Sequence, residues 1–124
     1  MSLPACMFNY QFYVKNKYLS CKVTQRSSDI CLAGGWNIAF ASMLTILLAD
    51  TCQLNPDKLI WSVGDTHIYL NQIDTIDEIT NRNPRNFPLL FIKNQHKKIT
   101  DYEYKDIDLI GYNPYPNIKI KFNI

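Results

Sequence analysis

The chain is poor in the residues that build metal and disulfide sites. Its four cysteines, at positions 6, 21, 31 and 52, form no C-x-x-C pair, and only His67 and His96 are available to complete a zinc site. No structural zinc or other metal is expected. Neither sign of charge dominates: 13 Lys and Arg against 11 Asp and Glu leave +2 at pH 7, too little to direct the chain to nucleic acid or a membrane surface. The start lacks a basic stretch followed by an apolar run, so no signal peptide is read there. Reduced cysteines and a cytoplasmic location are the matching expectation. Internal repeats and low-complexity linkers are also missing. What remains is 124 residues, 47% hydrophobic and 19% charged, the composition of one folded domain.

One stretch competes with that picture. Residues 30–49 carry no charge, and that length would cross a bilayer as a helix. Gly34-Gly35-Trp36-Asn37 breaks the run early, leaving about a dozen apolar residues, which suits a buried helix of a folded domain better. No membrane partner is expected.

Residues 11–14 and 19–25 alternate around Lys15-Asn16-Lys17, the pattern of two strands and a hairpin turn. Asn37 is placed to cap a helix over 38–49, ended by the turn residues 54–57. A β-branched and aromatic run over 59–70 predicts a strand, with Gly64 marking a bulge or a close backbone approach. Ile73, Ile76 and Ile79 at helical spacing predict an amphipathic helix over 71–80. Residues 81–88 form a loop, and short strands are expected at 89–92, 104–109 and 118–122. The whole predicts an α+β domain, a mixed sheet packed on a central buried helix.

Several residues have chemistry beyond packing. Cys6 lies in P-A-C-M-F-N-Y-Q-F-Y-V; a lone cysteine beside a strand is usually inert packing, and it becomes a nucleophile candidate only with a cation or helix N-terminus nearby. Arg26 is the candidate cation, one of three arginines, within Thr24-Gln25-Arg26-Ser27-Ser28-Asp29. That segment reads either as a solvated strand end or as an anion site, where a guanidinium fork and a hydroxyl suit a phosphate. Asp65, His67 and Tyr69 alternate and so share one face of a strand. They form either a satisfied polar network or the wall of a polar ligand pocket. Asn37 is either a helix cap or, through its carboxamide, a reader of a pyrimidine edge.

Taken in order, P-x-C, Q-F-Y-V, Q-R-S-x-D, x-N-I-A, G-D-x-H-I-Y-x-N and G-Y-N-P-Y-P-x-I-K resemble the C-terminal half of the thymidylate synthase family, over about 3–124. The family methylates dUMP to dTMP with methylenetetrahydrofolate as co-substrate. The resemblance implies that Cys6 is the nucleophile whose thiolate adds to the uracil ring beside the carbon to be methylated. It implies that Arg26 binds the nucleotide phosphate close to the thiol, that Ser27 is a second phosphate ligand, and that Gln25 faces the nucleotide. Asp29 would bond the folate pterin, His67 and Tyr69 the deoxyribose hydroxyl, and Asn37 the base. A carboxamide matches uracil's adjacent N–H and carbonyl, whereas cytosine presents the reverse.

The chain departs from the family at Met7, commonly His; at Ala5, commonly Pro; at Ala33-Gly34-Gly35-Trp36, in place of Gly-x-Pro-Phe; and at Phe40-Ala41, in place of Ser-Tyr. The tail 120–124 is bulkier and more basic than the family's small-residue tail, which closes over bound ligands. The family's N-terminal half, with its mobile phosphate-binding arginine and catalytic glutamate, does not precede residue 3. The expectation is a fragment, residues 1–124 being the C-terminal part of a thymidylate synthase domain. Its parent would be a homodimer, monofunctional or fused to dihydrofolate reductase, and the isolated chain inactive. Two alternatives stand beside it: a hydroxymethylase-type relative acting on deoxycytidylate or deoxyuridylate, and a non-catalytic nucleotide-binding or dimerisation module. Because deoxycytidylate hydroxymethylases carry Asp at the base-reading position, Asn37→Asp in the full-length protein is expected to shift preference toward dCMP. An unchanged ratio of kcat/KM for dCMP and dUMP would contradict the assignment.

Overall fold

A computed structural model describes residues 3–121. Strands β1 (Met7–Lys15) and β2 (Tyr18–Asp29) form an antiparallel hairpin. Asn16 and Lys17 turn it with φ of 53° and 65°, and positive φ at both central residues gives the twist that matches the strands a two-residue turn joins. The expected hairpin is present and its strands are longer at both ends. Residues 24–29 continue β2 because β3 (Asn55–His67) pairs with them in parallel, Ser27 opposite Asp65 and Asp29 opposite His67.

The three-stranded sheet therefore runs β1-β2-β3 and is mixed. Parallel neighbours need a crossover, supplied by α1 (Gly35–Thr51). Downstream lie α2 (Ile73–Thr80) and a separate antiparallel pair, β4 (Leu89–Ile92) with β5 (Ile107–Ile110). The fold is α+β.

Alternate residues of β2, namely Leu19, Cys21, Val23 and Gln25, are buried, as the two-residue period of a strand requires. Against Cys21 and Val23 packs Ala41 of α1, with Met7, Tyr10, Leu59 and Trp61 around them. Complete burial of a valine such as Val23 contributes about 1.5–3 kcal/mol.

Several boundaries differ from expectation. Pro56 and Asp57 lie inside β3, not in a turn. Among the described residues β3 pairs only with β2, and an edge strand tolerates the missing N–H of proline near its start. The strand also stops at His67, leaving Tyr69 outside it. Gly34 and Gly35 do not break the helix: a π-helical turn at Ile30–Gly34 leads directly into α1, giving a continuous helical run over 30–51. Asp29 caps that run, its Oδ1 accepting the Leu32 N–H at 3.1 Å. Asn37 consequently sits inside the first turn of α1 and is not its cap.

The helix is also not the buried centre expected. One flank lies on the sheet, while Trp36 is 79% exposed and Ile38, Phe40 and Met43 are exposed beside it. At the C-terminal end β5 begins at Ile107, after a short helical turn at Tyr104–Asp106. Residues 118–121 form no strand, and Phe122, the last residue of that expected strand, lies outside the described residues, as does the tail 122–124.

The β4–β5 unit is tied to α1 by side chains. Gln95 Nε2 donates to the Asp50 carbonyl at 2.8 Å, and the Tyr102 hydroxyl donates to the Asp50 carboxylate. Within the unit Asp106, only 2% exposed, accepts from the Glu103 N–H and the Asn94 amide at 2.9 Å each, and its Oδ2 lies 3.0 Å from His96 Nε2. The Glu103 N–H, then the Asn94 amide and His96, pull its pKa from 3.8 down to about 2. A carboxyl depressed on folding stabilises the fold above its ordinary pKa, and that stability is lost as pH falls through the folded value. The difference in urea midpoint between the wild type and Asp106→Asn is expected to shrink steadily from pH 4 to pH 2. A difference that stays constant over that interval would show that Asp106 carries no such linkage.

Candidate active site

The site starts at the mouth of the hairpin. The Arg26 N–H donates to the Cys6 carbonyl at 2.9 Å, which sets the two residues side by side just before β1 begins. The guanidinium turns back over the entering chain: Nε and Nη2 donate to the Pro4 carbonyl at 3.3 and 2.8 Å, and Nη2 lies 3.7 Å from the Cys6 sulfur. Both protons of Nη1 are without a partner among the described residues, leaving half of the fork open to an anion.

The other cysteines lack this setting. Burial pushes the Cys21 thiol up, and burial together with the nearby Asp29 carboxylate does the same to Cys31. Cys52 is exposed at the end of α1. Of the four, Cys6 is the exposed thiol with a guanidinium beside it.

β3 supplies the facing wall. Gly64 stands across from Arg26, where a Cβ would come within 2.9 Å of the Arg26 carbonyl oxygen. The close backbone approach read at this glycine is therefore present, and it presses β3 against the strand that carries the arginine. The parallel register brings Ser27 beside Asp65 and Asp29 beside His67. His67 Nδ1 is 3.2 Å from Asp65 Oδ2, close enough for an ion pair but off the hydrogen-bond direction, so this buried nitrogen makes no hydrogen bond among the described residues. The His67 and Tyr69 rings meet edge to face with centroids 5.2 Å apart.

Gln25, expected to face the nucleotide, is turned into the core at 1% exposure. Its Oε1 accepts from Trp61 Nε1 at 2.9 Å and its Nε2 donates to the Ser27 carbonyl at 2.8 Å. Both ends of the carboxamide are engaged, and together they tie the Ser27 backbone to the Trp61 side chain. Asp29 is half-buried, with Oδ1 on the helical turn and Oδ2 accepting from Gln72 Nε2 at 2.8 Å. Asn37 is half-buried at the start of α1.

Gln72 and Trp61 hold this corner together, and neither was singled out from sequence. Gln72 lies four residues before Ile76 and seven before Ile79, on the apolar face of α2's helical pattern. A polar residue on that face was the available signal. A groove of about 650 Å³ is lined by Tyr13, Tyr18, Lys22, Lys58 and Ile60 among others and contains none of these residues.

A thiol beside a half-free guanidinium, with hydroxyl, carboxylate, imidazole and phenol along one strand junction, has the groups for nucleophilic chemistry on an anionic, polar ligand. The thymidylate synthase family model matches residues 1–124. Among curated relatives, thymidylate synthase of Francisella tularensis subsp. holarctica (strain FTNF002-00 / FTA) is 44% identical over 123 residues, covering 99% of this chain and 45% of the relative. Thymidylate synthase of Coxiella burnetii (strain Dugway 5J108-111) is 43% identical over 119 residues, covering 96% and 45%. The chain belongs to the thymidylate synthase family. It spans less than half the length of the curated relatives it matches.

Gly64→Ala must separate β3 from β2 at Arg26 or strain the pairing. It is expected to lower stability by about 1–3 kcal/mol, read from chemical denaturation. An unchanged midpoint would mean that the contact relaxes freely.

Proposed function

We propose that the chain carries the nucleotide-activating part of a thymidylate synthase, which converts dUMP to dTMP. The observation that carries this is the Cys6–Arg26 corner, with sulfur and Nη2 3.7 Å apart and Nη1 unpartnered.

In this role the guanidinium has two tasks. Its charge sits beside the sulfur, the electrostatic setting a thiolate nucleophile needs, and its open Nη1 edge faces outward to take phosphate oxygens with the Ser27 hydroxyl. Cys6 then adds to the pyrimidine carbon next to the one to be methylated. The ring's electron pair moves onto that neighbouring carbon, which uracil alone does not make nucleophilic. Methylenetetrahydrofolate, as co-substrate, supplies the one-carbon unit and the hydride. Asp29, whose oxygens keep lone pairs beyond their two donors, fits the pterin's N–H groups. His67 and Tyr69 hold the deoxyribose hydroxyl, Asn37 reads the base edge, and Gln25 acts through the Ser27 backbone. Tyr13, Tyr18 and Ile60 are exposed on the sheet face opposite Leu19, Cys21 and Val23; we assign this surface to pairing between two copies.

Incubating the full-length protein with the 5-fluoro analogue of dUMP and methylenetetrahydrofolate should add their combined mass to the Cys6 peptide. The Cys6→Ser variant should show no such addition. Arg26→Lys keeps the charge and loses the fork, and should weaken dUMP binding on the order of 10- to 100-fold. A wild type that forms no adduct would remove the nucleophile assignment and leave a non-catalytic nucleotide-binding module.

A further inference from the structure

Gln72 is 0% exposed, and its carboxamide reaches three separate parts of the chain. Nε2 donates to Asp29 Oδ2 at 2.8 Å and to the Lys121 carbonyl at 3.2 Å, while Oε1 accepts the Tyr69 N–H at 3.2 Å. A carboxamide has two donor hydrogens and an acceptor oxygen, so both hydrogens are committed and the oxygen is used.

We infer that Gln72 is a positioning residue that joins the Asp29 carboxylate, the backbone of Tyr69 and the C-terminal segment at Lys121 into one arrangement. Its importance for ligands rests on the thymidylate synthase reading, in which Asp29 meets the folate and Tyr69 the nucleotide sugar. With Oδ1 held by the Leu32 N–H and Oδ2 by Gln72, the carboxylate is fixed in plane and rotamer, and each oxygen keeps a lone pair for a ligand. The third contact places the C-terminal segment against the same group. Both donors thus come from one side chain, and a change in the tail's position is felt at Asp29 without any intervening residue.

No other side chain of similar size does all three tasks. Leucine fills the space but leaves a buried carboxylate oxygen, a carbonyl and an N–H without their partner, each costly when buried. Glutamate keeps the acceptor for Tyr69, loses both donors and sets a second carboxylate against Asp29.

The test uses Gln72→Leu and Gln72→Glu in the full-length protein, with two readouts. Trypsin cleavage after Lys119 and Lys121 in the ligand-free protein should quicken on the order of 10-fold in both variants, because both lose the donor to the Lys121 carbonyl. Steady-state kinetics should then separate them: Gln72→Glu raises KM for methylenetetrahydrofolate on the order of 10-fold and keeps KM for dUMP, whereas Gln72→Leu raises both. General loss of structure does not produce that split. Cleavage at the wild-type rate in both variants overturns the junction. Equal changes in the two KM values for Gln72→Glu overturn its role toward Asp29. A wild type that forms no Cys6 adduct refutes the enzymatic reading and this residue's part in it, while the cleavage of the two variants still decides the junction.

Discussion

The parallel pairing of β2 with β3 is the constraint on which the rest depends. It aligns Tyr18 with Asn55 at one end and Asp29 with His67 at the other, so residues about 40 positions apart in sequence share one strand junction. A register slip of one residue would exchange inward and outward faces along the whole strand. It would carry Ser27 and Asp29 away from Asp65 and His67 while exposing Cys21 and Val23. Gly64 permits the pairing at its tightest point, where any Cβ would press on the Arg26 carbonyl. The core and the candidate site are therefore specified by the same register, and neither can shift without the other.

Polar side chains then divide into those that hold the backbone and those left open. Gln25 is consumed by Trp61 and the Ser27 carbonyl, and Gln72 by Asp29, Tyr69 and Lys121. Their burial costs little because each polar atom has a partner. Among the described residues the Nη1 edge of Arg26 is open, and the buried Ser28 hydroxyl and His67 Nδ1 make no hydrogen bond, although His67 Nδ1 lies 3.2 Å from Asp65 Oδ2. Buried groups without partners are destabilising and uncommon. Ser28 lies on β2 and His67 on β3, the two strands of a single junction.

Much of the fold was legible because its signals are local. The hairpin at Asn16-Lys17, the apolar helix, the amphipathic α2 and β4 at Leu89–Ile92 each follow from a turn, a period or a short apolar run. Gly64 was legible as a close approach because a glycine inside a strand has few other uses. What escaped depended on partners far along the chain. Pro56 reads as a turn residue until an edge position in a parallel pair accounts for it, and Asp29 reads as a strand end until it caps the helical turn that runs through Gly34-Gly35. At the candidate site, Cys6 and Arg26 were singled out by residue type and by family resemblance, and the structure brings them together. Gln72 was passed over because its three hydrogen bonds run to residues 3, 43 and 49 positions away.

The apolar helical run is where composition and packing give different answers. Residues 30–51 are long and apolar enough to cross a bilayer, and α1 presents apolar side chains on its open flank as well as on the sheet. Yet the run begins at the end of β2 and delivers the chain to the start of β3, beside the start of β2. It must therefore run back along strands of 12 and 13 residues, each about 40 Å long at 3.3 Å per residue. A helix fixed lengthwise on that sheet cannot enter hydrocarbon without taking the sheet with it. Among the described residues the outer strands β1 and β3 each pair on one side only, and such edges leave N–H and C=O groups that lipid cannot satisfy. While the β2–α1–β3 crossover stays packed, α1 belongs to the sheet.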